Sequence, residues 1–381
     1  MDANMLGAYG KWAAGLRGGE LPRLSFRRDE FKSVAVWRRR ALARATELLA
    51  VPETGGQPRA RVDKRYEFDG LQIEELSWQL PYGPRTEAIF MKPAGAKGKL
   101  PAILALHDHG GRKYFGKRKI VRLPGRRHAL IAEHQREHYG DVGWANEVAK
   151  RGYAVLVPDA FPFGSRRIRY ADVPDVLSGG RREKNPEARR EVLEYNDWAG
   201  SQETVVAKSL FCAGTTWPGV FLAEDQRALD YLCGRRDVDA ERVGCGGLSG
   251  GGMRTVFLGG LDSRIKAAIC MGFMTTWRDF LLHKSHTHTW MTYLPLAPND
   301  LDFPEILGLR VPLPTLVQNC NDDPLYTMEG MTEADDILGG VYEKAGAGEN
   351  YSCSFYPGGH KFDLEMQAEA FSWWDRWLKD G

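Results

Sequence analysis

The run Val243-Gly244-Cys245-Gly246-Gly247-Leu248-Ser249-Gly250-Gly251-Gly252 decides how this chain is read. Its first half is a short apolar stretch of strand character, and its second half opens a helix. A serine between them, flanked by glycines, marks a strand-to-helix turn so tight that neighbouring side chains are excluded. Such a turn lifts the hydroxyl clear of the backbone, and the helix N-terminus behind it favours developing negative charge. Taken alone, Gly-x-Ser-x-Gly also occurs as a glycine-rich turn with an incidental serine.

Outward from this turn the chain alternates short apolar strands with helices. Strands are expected at 102–106, 154–158, 243–246, 266–271, 315–319 and 351–356, and helices at 144–151, 220–235, 250–258, 331–345 and 364–378. Short buried strands alternating with helices predict an α/β fold, a mostly parallel doubly wound sheet with helices on both faces. Ahead of it, 29–51 reads as an amphipathic helix with Asp29 as N-cap and Pro52 as stop. The stretches 71–79 and 86–92 read as an antiparallel ribbon at the sheet edge, joined by Pro81-Tyr82-Gly83-Pro84. No low-complexity linker or internal repeat divides the chain. The expected organisation is an N-terminal extension at 1–99 packed on a catalytic domain at 100–381, with insertions at about 112–140 and 170–218.

A serine hydroxyl is a weak nucleophile unless a base takes its proton and a third group orients that base. In a sheet of this kind those partners belong in loops after later strands. Cys320-Asn321-Asp322-Asp323-Pro324 follows the strand at 315–319, and Pro357-Gly358-Gly359-His360 follows the strand at 351–356. His360 is the only histidine beyond Asp323, so it has no competitor as the base. Asp323 is favoured as the acid because its Asp-Pro-Leu context ends the loop as the next helix begins; Asp322 stays open as the alternative. The backbone N–H groups of Gly250 and His109 are the expected oxyanion donors, His109 lying in His107-Asp108-His109-Gly110-Gly111 after the first core strand. The His107 side chain reads equally as a brace for that loop or as a substrate contact.

With these segments in place, the chain from about residue 100 onward resembles the dienelactone hydrolase-like and acetyl xylan esterase-like branch of the α/β-hydrolase superfamily. The resemblance also rests on Gly152-Tyr153-Ala154-Val155-Leu156-Val157-Pro158-Asp159-Ala160 with Phe163-Gly164, and on Asp237-Val238-Asp239 leading through Arg242 to the serine turn. It implies the α/β-hydrolase fold and hydrolysis of a carboxylic ester through an acyl-serine, with no metal and no cofactor. Dienelactone hydrolases proper carry cysteine where this chain has Ser249. That departure favours a carboxylesterase or acetylesterase acting on a small acyl group. A serine peptidase of the prolyl-oligopeptidase type shares the triad order, but the first 99 residues are too few for the propeller those enzymes usually carry. A non-catalytic binding protein on the same fold is the third reading, and the complete triad argues against it.

Composition narrows the partners. Lys and Arg number 52 against 50 Asp and Glu, so the net charge of +2 gives no general reason to bind nucleic acid. No apolar stretch reaches the roughly 18 to 20 residues of a membrane span. A small-molecule ester is the expected partner, with a homo-oligomer as an open reading. Six scattered cysteines without metal-ligand spacing, and no visible secretory leader in residues 1–17, lead to the expectation of a reduced, cytoplasmic protein. Residues 112–127 hold eight basic side chains and no acid. They read as a field that steers an anionic substrate, or as a solvated or oligomer-contact loop. His283, His286 and His288 with Asp279 suggest metal ligands by spacing. A serine triad needs no metal, however, and pocket lining by His286 and His288 is the favoured role. The insertion at 170–218 reads as a cap with aromatic walls, Trp217 among them, or as a helical decoration.

Overall fold

Nine strands form one sheet in the computed structural model, which describes residues 3–16 and 19–379. They are β1 (Arg61–Phe68), β2 (Leu71–Trp78), β3 (Thr86–Pro93), β4 (Leu100–Ala105), β5 (Ala154–Pro158), β6 (Val238–Leu248), β7 (Ile265–Met271), β8 (Thr315–Cys320) and β9 (Tyr351–Tyr356). Their order across the sheet is β1-β2-β3-β5-β4-β6-β7-β8-β9. The pairs β1–β2, β2–β3 and β3–β5 are antiparallel, and from β5 to β9 every pair is parallel. The strand order reverses at β4, so the loops after β4 and β6 leave a crevice at the carboxyl edge, where α/β sheets place their ligands.

Alternation along the strands feeds two cores. In β4, Ala102 and Leu104 enter one apolar cluster while Ile103 and Ala105 enter the other. In β5, Ala154 and Leu156 divide from Val155 and Val157 in the same way. The first cluster is closed by α1 (Val34–Leu49), α6 (Trp217–Cys233), α7 (Gly250–Leu261) and α8 (Met328–Lys344). The second is closed by α3 (Trp144–Lys150) and α9 (Leu364–Leu378), with Trp144 and Trp374 stacked at 6.3 Å. The helices α2 (Ala129–Tyr139), α4 (Arg189–Ser201) and α5 (Glu203–Cys212) come from the two insertions, and Leu130, Ile131, Val192, Tyr195 and Trp198 of α2 and α4 join a third apolar cluster. Helices on both faces of a largely parallel sheet are what the strand pattern predicts. Among the described residues no single helix is long and apolar enough to cross a membrane, and the six cysteines are free.

The N-terminal part departs from its expected form in two places. The helix begins at Val34, not at 29, because Ser33 accepts from the Val36 amide and caps it; Asp29 lies outside. A strand that the pattern did not suggest, β1, pairs with β2, and its mostly exposed, charge-rich sequence hides the apolar alternation of a buried strand. The ribbon itself forms as expected, β2 and β3 pairing antiparallel at one side of the sheet with β3 joined to β5.

Trp37, Ala41, Ala45 and Leu49 bury one stripe of α1 in the core shared with the serine turn's helix. The end of α1 is tied to the start of α6: Thr216 Oγ1 donates to the Leu49 carbonyl at 2.8 Å and accepts from Gly219 N–H at 3.0 Å. A Cβ at Gly219 would lie 2.1 Å from that carbonyl. Gly219→Ala is therefore expected to destabilise the whole body by about 1–3 kcal/mol, read as a lower urea midpoint in a single transition. An unchanged midpoint would show that α1 is only loosely held.

Candidate active site

The serine turn is built by exclusion. Ser249 has φ 58° and ψ −120°, a left-handed conformation that costs a non-glycine residue about 1–3 kcal/mol. A Cβ at Gly247 would lie 2.1 Å from the Leu106 carbonyl, and one at Gly251 would lie 2.2 Å from the same oxygen. Glycine at both positions lets the turn press onto the end of β4. The Ser249 amide donates to the Met271 carbonyl at 2.9 Å, which continues the β6–β7 ladder, and the serine remains 9% exposed.

The same ladder runs on past the strand ends. Gly272 N–H donates to the Gln318 carbonyl, Asn321 N–H to the Tyr356 carbonyl, and Asp322 N–H to the Gly358 carbonyl. The loops after β7, β8 and β9 are thereby stacked in line with Ser249. Asp323 is buried, its Oδ2 lies 2.6 Å from His360 Nδ1, and its Oδ1 accepts from Leu325 N–H at 2.9 Å. His360 Nε2 is buried and makes no hydrogen bond. The ring stands beside Gly272, where a Cβ would meet His360 Cε1 at 3.1 Å, one residue from the carbonyl that holds Ser249. Asp322 is exposed, and its Oδ2 accepts from Gly358 N–H at 3.2 Å. Of the two adjacent acids, Asp323 is the one bonded to the imidazole, and Asp322 braces the histidine loop.

The loop after β4 meets the turn closely: a Cβ at Gly250 would lie 2.8 Å from His109 N. The His109 imidazole faces away into a polar cluster. Its Nδ1 accepts from Gly111 N–H at 3.0 Å, so the neutral ring carries its proton at Nε2 and donates it to Glu203 Oε1 at 2.8 Å. Burial, with the Lys113 charge nearby, keeps this imidazole below its ordinary pKa.

The four remaining expected contacts separate. His107 is buried, its Nδ1 donates to the Asp108 carbonyl at 3.0 Å, and its edge meets Phe163; it is a brace. Trp217 is the first residue of α6, only 1% exposed, packed on Phe161 and lining a small cavity with Lys113, Tyr195 and Trp198. His286 is exposed on the turn after the π-helical segment Phe280–Lys284. His288 lies near Asp323 and His360, among Phe273, Phe280 and Tyr326. Its Nδ1 donates to the Lys284 carbonyl at 3.1 Å, and its buried Nε2 has no partner. Among the described residues no group of three or more His, Cys, Asp or Glu is placed to hold a metal ion.

The basic loop is partly spent inside the molecule. Lys113 is paired with Glu203, Lys117 with Glu87 and Asp159, Lys119 with Asp108, Arg118 with Glu187 and Arg127 with Asp141. The three lysines are buried, the pairs of Arg118 and Arg127 are partly exposed, and Arg112, Arg122 and Arg126 make no ion pair among the described residues. Two further residues escaped the sequence reading. Glu203, at the start of α5, accepts from His109, Lys113 and Thr289. Burial alone would raise its pKa, but those donors and the Lys113 charge hold it at about 2. His138, at the end of α2, donates from Nδ1 to the His360 carbonyl at 3.2 Å, and Phe362 N–H returns a bond to the His138 carbonyl at 2.7 Å. Neither residue sits in a motif, and their roles arise only when insertions fold back onto the loops.

No protein-family model matches the chain. Among curated proteins it is similar to "Putative hydrolase YtaP" of Bacillus subtilis (strain 168), 25% identical over 309 residues, which are 80% of this chain and 88% of that protein. Among solved structures it resembles a "putative acetyl xylan esterase" from Bacteroides fragilis NCTC 9343, with TM-score 0.68 and 18% identity over 92% of this chain and 83% of that one. It also resembles a glucuronoyl esterase from Solibacter usitatus, with TM-score 0.61 and 15% identity over 93% and 97% of the two chains. The chain has the α/β-hydrolase fold.

Burial pushes the His288 imidazole down to about 4. The unfolded chain binds that proton from about pH 6.5 downward, so the stability His288 contributes is full above that pH and is lost as pH falls toward 4. Urea midpoints are expected to drop between pH 7 and pH 4.5 more steeply in the wild type than in His288→Phe. Equal slopes in the two proteins would contradict this assignment.

Proposed function

We propose that the protein hydrolyses a carboxylic ester with a small acyl group, in the manner of an acetylesterase or carboxylesterase, through an acyl-serine at Ser249. The observation that carries this reading is the 2.6 Å contact of buried Asp323 with His360 Nδ1, on a loop stacked beside a serine held at φ 58°. With Nδ1–H bonded to the carboxylate, the lone pair of Nε2 is available to a hydroxyl.

In the proposed reaction Ser249 Oγ forms a bond to the ester carbonyl carbon while its proton passes to His360 Nε2. The carbonyl oxygen becomes an oxyanion, met by the N–H groups of Gly250 and His109. Asp323 stays ionised and stabilises the imidazolium. Collapse breaks the bond to the alcohol, which leaves with the proton from His360. Water then attacks the acyl-serine by the same route and releases the acid. The names of the structural relatives, which include esterases, support the bond type. The shallow exposure of Ser249 supports a small acyl group.

Ser249→Ala is expected to abolish turnover of p-nitrophenyl acetate and labelling by a fluorophosphonate probe, with retained folding by circular dichroism. Asp323→Asn should lower kcat by about 10³–10⁴-fold, since an imidazole held in the wrong tautomer cannot accept the proton. Asp322→Asn should leave kcat within a few-fold. Turnover that survives Ser249→Ala, or a larger loss in Asp322→Asn than in Asp323→Asn, would overturn the assignment.

A further inference from the structure

The loop that carries the His109 amide is gripped from behind by one cation. The Lys119 side chain is wholly buried, and its ammonium donates to the Asp108 carbonyl and, at 3.0 Å, to the His109 carbonyl. The Asp108 carboxylate lies 3.3 Å from the same nitrogen, and Lys119 also stands over the Phe163 ring. Tyr139 OH donates to the other Asp108 oxygen at 2.5 Å, so the aspartate itself is fixed from α2.

Peptide geometry turns this grip into direction. In a planar trans peptide the carbonyl of residue 108 and the N–H of residue 109 point opposite ways. A carbonyl anchored on Lys119 and His107 Nδ1 therefore sends the His109 N–H away from both. The far side of that peptide is the serine turn, where a Cβ at Gly250 would touch the His109 nitrogen at 2.8 Å. The His109 amide donates to no other group among the described residues.

Building on Ser249 as the nucleophile, we propose that Lys119 is a positioning residue, which clamps the 108–109 peptide so that the His109 N–H points into the oxyanion hole. The clamp is a charged one, and charge-assisted bonds are roughly twice as strong as neutral ones. Burial pushes the ammonium from 10.5 down to about 8, against the pull of Asp108 and Asp159 and with the push of Lys113. The other charged or titratable groups around it are His107, His109, His134 and Tyr139, together with Lys117 on Asp159.

Above about pH 8 the clamp loses its charge and the amide loses its aim. The unfolded chain keeps this proton up to about 10.5, so between the two values the contribution of Lys119 to stability rises with pH. Loss of turnover in that window is therefore not unfolding through this group.

The test compares wild type with Lys119→Met, which keeps the length of the side chain and removes the charge. The expected result is a kcat about 10–100-fold lower with KM within about twofold, because a misaimed donor costs part of the 10²–10³ that a lost one does. Affinity for a boronic acid that forms a tetrahedral serine adduct should fall by the same factor as kcat. Wild-type kcat should decline above pH 8, while the variant's smaller kcat stays flat from pH 7 to pH 9.5. A variant kcat within twofold of wild type, or boronate affinity unchanged, overturns the proposal. Should the variant fail to fold, the wild-type profile decides: a kcat that is flat across pH 7 to pH 9.5 overturns it as well. Turnover that survives Ser249→Ala would sink the underlying reading, whereas an inactive Ser249→Ala beside a fully active Lys119→Met removes this inference alone.

Discussion

The Leu106 carbonyl lies so close to the serine turn that neither Gly247 nor Gly251 has room for a Cβ. That single close approach fixes the height of Ser249 relative to the loop leaving β4, and with it the spacing between Ser249 and the His109 amide. Any side chain at either glycine would have to push backbone against backbone, which flexible neighbours cannot absorb. The rest of the site is arranged around this fixed point by a hydrogen-bond ladder that continues beyond the ends of β6, β7, β8 and β9. The placing of Asp323 and His360 is thus a consequence of sheet register, not of the long connections between them.

Behind the loops sits a layer of buried charge. Lys119 with Asp108, Lys113 with Glu203 and Lys117 with Asp159 are all largely removed from water. Taking such groups out of water is costly unless each is closely paired and hydrogen-bonded. Here each pair ties the basic loop to a different neighbour: the loop after β4, the start of α5, and the segment after β5. The near-cancellation of charge over the chain conceals this local matching, and the three lysines of the basic run at 112–127 act as internal braces.

The parts of the molecule governed by local rules were legible from the residues. The alternation of short apolar strands with helices gave the doubly wound sheet, and the glycine pattern gave the turn at Ser249. Order along the chain paired His360 with an acid at 322–323, and geometry then separates Asp323 from Asp322 by burial and by the bond to Nδ1. What was not legible depends on chain segments meeting at a distance. β1 is too charged to announce itself, and Ser33 outcompetes Asp29 as cap only through where the chain turns. Trp217 belongs to an insertion read as a cap with aromatic walls, and its burial as the first residue of α6 follows from the fold of that insertion. Lys119, Glu203 and His138 owe their places to insertions that fold back on the site, which no spacing rule describes.

In an acyl-serine mechanism a substrate's acyl group passes through Ser249. This is tested most directly by quenching the protein in acid during turnover of p-nitrophenyl acetate and mapping the acetylated peptide by mass spectrometry. The account requires acetyl on Ser249 at a level that rises and decays with turnover. Turnover with no acetyl on Ser249, or with the acetyl on another residue at a kinetically competent level, would contradict it.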